Sequence, residues 1–317
     1  MQQMHEHTLD DPHAWPPLPL AEWRDTYATV HLWTQIVGKI RMKLTPPLNH
    51  WWHVPLYVTS RGLTTSPIPY GEDFFEIDFD FVDHTLRVRT SGGPTRALPL
   101  IARTVADFEH ELFAALSALG VDVRIYETPV EIPNPIPFPN DTVHRSYDPE
   151  AMQRCWRVLV ATDAVLKEFR GEFLGKASPV HFFWGSFDLA LTLFSGHRAP
   201  ERPGADPITR EAYSHEVLSF GFWPGGVTAT GVRHDEPIFY AYAAPEPPGF
   251  SAAPVRPKAA VYAPQLGEFI LPYEATRHAP SPREALLDFC RSVYVSGATL
   301  ARWNRAELER HIAAPGP

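Results

Sequence analysis

The chain has 317 residues, of which 44% are hydrophobic and 21% are charged. This composition excludes an intrinsically disordered protein, although the 34 prolines are more than a globular chain usually contains. With 28 basic and 37 acidic residues the formal net charge is −9, which argues against nucleic acid or an anionic membrane as a partner. We therefore expect a folded protein with a small-molecule ligand.

The N-terminal half begins with a helical pattern that changes to strands. Residues 1–15 have neither pattern and are predicted to be a disordered lead-in. Apolar residues at spacings of three and four predict one helix over 20–44, which Pro46 and Pro47 end. Alternation predicts a strand in HVPLYVTSRG and then a hairpin in FFEIDFDFVDHTLRVRT.

Three acidic residues of this hairpin, Glu76, Asp78 and Asp80, could be mistaken for a carboxylate metal site, but pairing with arginines of the next strand accounts for two of them. With a two-residue turn at 83–84, Asp80 faces Arg87 and Asp78 faces Arg89, so the cross-strand pairs match in polarity. We therefore favour an exposed face of ion pairs over a carboxylate metal site.

A helix and a connector complete the N-terminal half. Thr104 followed by Asp107 predicts the start of a helix over 105–119, and VDVRIYETPVEI is predicted to be a strand. The prolines of 129–148 predict a polyproline-like connector. This connector separates an N-terminal half, 16–128, from a C-terminal half, 149–317, that packs with it.

The C-terminal half repeats the order helix, strands, helix. Asp148 and Pro149 predict the start of a helix over 149–171, and Ser281 with Glu284 predicts the final helix. Between them VHFFWGSFDLALTLFSG, YSHEVLSFGFW and PIFYAYAAPEP are predicted to be strands. The fold class is thus α+β, mostly antiparallel sheet with long helices, in two similar halves that a duplication would explain.

Polar side chains lie opposite the apolar face of these strands. Alternation places Trp184, Ser186 and Asp188 on one face, and an aspartate among large hydrophobic residues needs a partner or solvent. If the polar faces of the two halves meet, they form a cleft with aromatic walls, as small-ligand sites have. We therefore predict a cleft between the halves.

We predict an enzyme that carries out acid–base or metal-assisted chemistry on a small molecule in this cleft. The predicted catalytic residues are His53, Asp188, His215 and Glu216, because imidazole and carboxyl groups transfer protons near neutral pH. The predicted substrate-binding residues are His31, Gln35, Trp52, Tyr57, Arg61, Trp184, Ser186 and Tyr213. Two of these, His31 and Gln35, form with Lys39 a polar stripe on the first helix, which is either solvated or faces the cleft.

A divalent metal is a second possibility at the same place. The predicted ligands are His50, His53, His181 and His215, although core histidines with satisfied ring nitrogens are the simpler interpretation. No nucleotide cofactor is expected, because GxGxxG and GxxxxGK[ST] are both absent.

The alternative function is a non-catalytic ligand- or peptide-binding module. Nine tryptophans, several beside proline or glycine as in PNHWWHVP and GFWPGG, could form an exposed binding platform. Two cysteines do not make a disulfide framework and the N-terminus lacks the apolar run of a signal peptide, so we predict a cytoplasmic protein. The oligomeric state is not indicated.

Several segments resemble an uncharacterised bacterial family, the domain of unknown function numbered 5996. They include NHWWHVPLYV, FEIDFDFVDH, VHFFWGSFDLA, GFWPGG and LGEFILPYE, and the resemblance runs from about Trp15 to Arg305. It implies a full-length bacterial cytoplasmic unit and carries over no reaction, cofactor or catalytic residue.

Overall fold

The computed structural model describes residues 14–228 and 231–310 and shows the predicted α+β class. The helices of these residues are α1 (Leu20–Leu44), α2 (Val105–Ser117), α3 (Pro149–Gly171), α4 (Pro207–Ala212), α5 (Tyr273–Arg277), α6 (Pro282–Leu300) and α7 (Arg305–Leu308). None of them combines the length and the apolarity that crossing a membrane requires.

Each half contains one six-stranded antiparallel sheet. The first sheet consists of β1 (Tyr57–Val58), β2 (Gly62–Thr64), β3 (Ile68–Tyr70), β4 (Asp73–Asp80), β5 (Thr85–Thr90) and β6 (Thr95–Pro99), in the order β1-β2-β4-β5-β6 with β3 against β4. The second sheet consists of β7 (His181–Phe183), β8 (Asp188–Arg198), β9 (His215–Trp223), β12 (Ile238–Ala244), β13 (Val261–Ala263) and β14 (Glu268–Pro272), in the order β13-β14-β12-β9-β8-β7. Two short strands, β10 (Gly226–Val227) and β11 (Arg233–His234), pair separately. The strand orders of the two sheets differ, so duplication of the halves stays a prediction.

The long helices begin where their sequence signals predict. The side chains of Thr104, Asp148 and Ser281 each accept a hydrogen bond from a backbone N–H of the following turn. Helix α1 spans the predicted range and is buried on nearly every side, because it packs against α2, β3 and α3. One hydrophobic core therefore includes both halves, with α1 between them.

The β4–β5 hairpin confirms the ion-paired face, in a register that differs from the predicted one. Asp78 lies opposite Arg87 and Glu76 opposite Arg89, because residues 81–84 form a longer turn than the predicted pair. Arg89 forms ion pairs with Glu76, at 3.0 Å, and with Asp78. These acids are thus held by arginines across the hairpin.

The strand predicted in VDVRIYETPVEI is wrong. Residues 121–132 contain neither helix nor strand, because a side chain replaces the neighbouring strand as their hydrogen-bond partner. The Lys39 ammonium, on a residue only 1% exposed, donates to the carbonyl of Tyr126 at 2.9 Å and to that of Thr128. The segment that leads into the connector is therefore attached to α1.

The single strand predicted in VHFFWGSFDLALTLFSG is a hairpin. Strands β7 and β8 pair on either side of a turn at 184–187, in which Phe187 has a left-handed φ of 59°. The predicted strand of HVPLYVTSRG is broken into pieces: Leu56 bridges to Phe182, Tyr57–Val58 is β1 and Gly62 begins β2, while His53 lies in a turn. Both errors matter for the site, because the predicted faces assumed one continuous alternation.

Most of the predicted lead-in, 1–15, lies outside the described residues. Its last residue, Trp15, is 1% exposed and its ring centroid lies 6.1 Å from that of Phe239. Both cysteines are free and buried, and burial raises the pKa of the Cys155 thiol to about 12.

Candidate functional site

A cavity of about 540 Å³ lies between α1, the connector and the outer face of the second sheet, the face opposite α3 and α6. Its volume suits a small organic molecule. Its main polar and aromatic lining residues are Tyr27, His31, Glu131, Ser186, Asp188, Tyr213, Trp223, Tyr240, Tyr242 and Glu268. The first sheet contributes none of its strand residues to the lining.

Strand alternation decides which side chains reach the cavity. In β12, Phe239 and Ala241 belong to the core while Tyr240 and Tyr242 line the cavity. Gly221 of β9 lies opposite Tyr240, and a β carbon at Gly221 would overlap the phenol ring. Glycine at this position therefore makes the room that the Tyr240 side chain occupies.

Asp188 is the most buried carboxyl group of the cavity, with 8% of its surface exposed. The hydroxyl groups of Ser186 and Tyr240 both donate hydrogen bonds to its carboxylate, one to each oxygen. Burial raises the pKa of Asp188, and these two hydrogen bonds oppose the rise because they stabilise the ionised form. Asp188 is thus held in place by two hydroxyl donors.

Two further carboxyl groups have pKa values raised toward neutrality. Burial and the charge of Asp188 raise the pKa of Glu268 to about 8 and that of Glu131 to about 7. Glu268 is half-buried at the start of β14, whereas Glu131 is exposed and faces the open space of the cavity. At neutral pH Glu268 is mainly protonated and Glu131 is near the midpoint of its titration.

The imidazole of His31 and the phenol groups of the cavity are neutral near pH 7. Burial lowers the pKa of His31 to about 4, and its Nε2–H donates to the carbonyl of Gly185 at 2.8 Å. Burial raises the pKa values of Tyr240 and Tyr242 well above their usual range. The hydroxyl groups of Tyr213 and Tyr242 are hydrogen-bonded to each other at 2.9 Å.

The polar stripe of α1 has two roles. His31 lines the cavity, while Gln35 binds the connector beside it. The Gln35 amide donates to the carbonyl of Val130 and accepts from its N–H, each at 2.8 Å. Since Glu131 follows Val130, this pair of bonds positions the Glu131 carboxyl in the cavity wall.

Two arginines at the edge of the cavity are already paired. Arg24 and Arg233 both contact Asp235, with nitrogen–oxygen distances of 3.0 and 2.9 Å. Inside the cavity, the pKa values of Asp188, Glu131 and Glu268 are shifted by burial, by hydrogen bonds from hydroxyl or backbone groups, and by the other carboxylates. No cation from 14–228 and 231–310 contributes to these shifts. No cation of the described residues therefore lies against these three carboxyl groups.

Of the predicted catalytic residues, the structure places only Asp188 in the cavity. His53 lies in the turn after α1, where its Nδ1 accepts from the N–H of Leu48 at 3.2 Å. His215 lines a separate hollow, and Glu216 accepts from Ser195 at 2.9 Å. Strand alternation was extended to His53 through a segment that turns, whereas His215 and Glu216 do lie in β9 but at the end of that strand away from the cavity.

The predicted substrate-binding residues divide in the same way. His31, Ser186 and Tyr213 line the cavity, and Gln35 supports its wall. The remaining four contact other parts of the protein. Arg61 forms ion pairs with the hairpin turn, Tyr57 packs against His181, Trp52 lies under the Lys176 ammonium, and the Trp184 indole donates to a backbone carbonyl.

The four predicted metal ligands do not form one cluster. No group of three or more histidine, cysteine or acidic residues in 14–228 and 231–310 has an arrangement that could hold a metal ion. His50 and His215 are neighbours, with ring centroids 5.4 Å apart. His53 instead packs against Trp51, and His181 is enclosed by aromatic rings.

Six of the ten main lining residues were missing from the prediction: Tyr27, Glu131, Trp223, Tyr240, Tyr242 and Glu268. Tyr240 and Tyr242 alternate with core residues in PIFYAYAAPEP, so the rule that identified Asp188 would have found them. Glu268 starts a strand of apolar residues and has the same local signal as many surface glutamates. Glu131 has no local signal, because its position depends on a contact with α1.

Comparison with curated proteins and with solved structures gives no match. A family model described as "Family of unknown function (DUF5996)" matches residues 15–310. The match includes both halves, the connector and every residue of the cavity named above. The chain therefore belongs to the DUF5996 family.

Proposed function

We propose that this protein is an enzyme that carries out acid–base chemistry on a small organic molecule bound in the cavity. The observation that carries the proposal is the meeting of three carboxyl groups, Asp188, Glu131 and Glu268, in one cavity with aromatic walls. Active sites use such groupings to move carboxyl pKa values into the range where protons are exchanged at neutral pH.

The three carboxyl groups have different roles in this proposal. Glu268, protonated at neutral pH, acts as the general acid, and Glu131, close to its midpoint, acts as the general base. Asp188 remains ionised between Ser186 and Tyr240, and its charge keeps the pKa values of the two glutamates high. The negative charge of Asp188 therefore raises the pKa values of Glu131 and Glu268 by electrostatic repulsion.

The lining also indicates what kind of molecule the cavity accepts. Tyrosine and tryptophan rings offer apolar surface, and the carboxyl groups offer hydrogen bonds at a few fixed points. Because no arginine or lysine within 14–228 and 231–310 contacts the three carboxyl groups, an uncharged or cationic molecule fits better than an anion. We also propose a cytoplasmic location, which the two free cysteines support.

The test is conversion of a compound by the purified chain. The protein is incubated with a mixed extract of small metabolites, and mass spectrometry follows each compound and its products over time. We expect wild type and Glu201→Gln, an exposed glutamate away from the cavity, to convert the same compound. Glu268→Gln and Glu131→Gln should be slower by about 100-fold or more, the usual effect of losing a general acid or base. Conversion that survives both substitutions contradicts the proposal.

The same experiment separates catalysis from the alternative of a binding module. All nine tryptophans, which lie in the described ranges, are buried or half-buried, so an exposed tryptophan platform is not available. Binding without catalysis would have to use the cavity. A compound that stays bound with unchanged mass would support that function and contradict the enzyme.

A further inference from the structure

A second hollow lies at the other end of β8 and β9, apart from the cavity. It is lined mainly by Asn49 and His50 of the turn after α1, Arg198 at the end of β8, Arg210 and Glu211 of α4, and His215 at the start of β9. We call these six residues the basic hollow. Its volume is about 500 Å³.

The basic hollow has an excess of positive charge in an acidic protein. Arg198 and Arg210 are exposed, and neither forms an ion pair with any residue of 14–228 and 231–310. Lys176 adds a third cation beside them, because its ammonium donates to Nε2 of His50 at 2.8 Å. The acid in the lining is Glu211, whose carboxylate accepts from the His50 N–H at 3.2 Å. The basic hollow and its edge thus carry three cations and one carboxylate, in a chain of net charge −9.

The two histidines are held in the wall of the basic hollow by defined contacts. His50 is 5% exposed, and its Nδ1–H donates to the carbonyl of Glu211 at 3.1 Å. The His215 ring lies beside it and Nδ1 is 3.0 Å from the Ser214 hydroxyl oxygen. Burial, together with Lys176 or Arg198, lowers the pKa values of both rings, so both are neutral near pH 7. Their surroundings resist a further positive charge and would accept a negative one.

We propose that the basic hollow binds phosphate, either the inorganic ion or the phosphate group of a small monoester. Guanidinium groups bind phosphate oxygens through paired N–H donors, and two unpaired guanidinium groups with a nearby ammonium match a doubly charged anion. This site is separate from the cavity, so it does not depend on the proposed acid–base activity. A phosphate site also explains why His50 and His215, two predicted metal ligands, lie together beside cations. The same cations would repel a metal ion.

Calorimetric titration of the full chain with inorganic phosphate, and separately with glycerol phosphate, tests the proposal. Wild type should bind at least one of them saturably. Arg198→Gln and Arg210→Gln should each weaken binding about tenfold or more, since each removes a charged hydrogen-bond donor. Arg157→Gln, which removes an exposed arginine of α3 outside the hollow, should bind as wild type does.

Two results would overturn this assignment. One is the absence of saturable binding of both phosphates to wild type. The other is equal affinity in the Arg198, Arg210 and Arg157 variants, which would place the phosphate elsewhere. Both arginines are exposed, so these variants should keep the circular dichroism spectrum and unfolding midpoint of wild type. Proton NMR signals of His50 and His215 should move during the titration, and a titration that moves neither signal counts against the site.

Discussion

The indole ring of Trp184 lies directly on Gly38 of α1, where a β carbon would overlap it. Trp184 is 6% exposed, and its Nε1–H donates to the carbonyl of Val54 at 2.9 Å. The contact fixes the β7–β8 turn against α1, and Ser186 and Asp188 follow in that turn and strand. Trp184, which the sequence predicts to bind substrate, thus sets the distance between two walls of the cavity.

We expect Gly38→Ala to lower the free energy of unfolding by about 1–3 kcal/mol, the usual effect of overpacking a core. Helix propensity alone would favour alanine by about 1 kcal/mol, so the sign of the result tests the contact. Urea denaturation measures it. Gly171→Ala is the control, because its β carbon would meet nothing within 4 Å. A similar change in both variants would show that the indole does not limit Gly38.

Gln35→Met should destabilise the protein by about 1–3 kcal/mol, because it leaves the N–H and the carbonyl of Val130 without their partner. Urea denaturation measures this change as well, and Gln265→Met at an exposed turn serves as control. Amide hydrogen exchange at Val130 and Glu131 should become faster in Gln35→Met. Unchanged exchange there would mean that Gln35 does not hold the connector.

Asp188→Asn should lower the pKa values of Glu131 and Glu268. The substitution removes the charge of Asp188 but leaves both glutamates within the cavity walls that desolvate them, so their pKa values should fall without reaching the ordinary glutamate range. Carbon-13 NMR of the glutamate carboxyl groups measures the titrations directly. Asp122→Asn, on an exposed residue outside the lining, should change neither value. Unaltered titrations in Asp188→Asn would exclude the proposed coupling.

Glu268→Gln should stabilise the protein at high pH and leave its stability nearly unchanged at low pH. The folded-state pKa of Glu268 is raised from 4.5 to about 8, so in wild type its ionisation destabilises the fold progressively across that interval. At about pH 9 the variant should be more stable than wild type by about 2–4 kcal/mol, and at about pH 4 the two should agree. Thermal and urea unfolding at both pH values measure the difference. A gain that does not depend on pH, or an equal gain in Glu201→Gln, would show that Glu268 is not the destabilising group.

Local sequence signals predicted the helices well and the turns poorly. Asp148 and Pro149 identify the start of α3 because capping and proline geometry act within one turn of chain. The β7–β8 turn has no comparable signal. Its last residue, Phe187, adopts a left-handed φ of 59° that large side chains rarely take, so tertiary packing determines the turn.

Some residues of the site can be predicted from the sequence of a single strand, and others depend on how distant segments pack. Asp188 was predicted from alternation within its own segment, since an aspartate in an apolar strand is unusual. Glu131 was not predicted, because the bond that places it joins Gln35 to a residue 95 positions away. Glu268 reaches the same cavity from β14, which pairs with β12 and β13. A short stretch of sequence does not show these strand pairings.

The attachment of the connector to α1 restricts how the length of the chain can vary. Loops between two halves of a protein usually tolerate inserted residues, because their ends are free to adjust. Here Lys39 and Gln35 bind backbone atoms at 126, 128 and 130, and the next residue is a wall of the cavity. An insertion between 126 and 131 would shift Glu131 out of phase with Gln35, so we expect homologous chains to keep the length of this segment constant even where its composition changes.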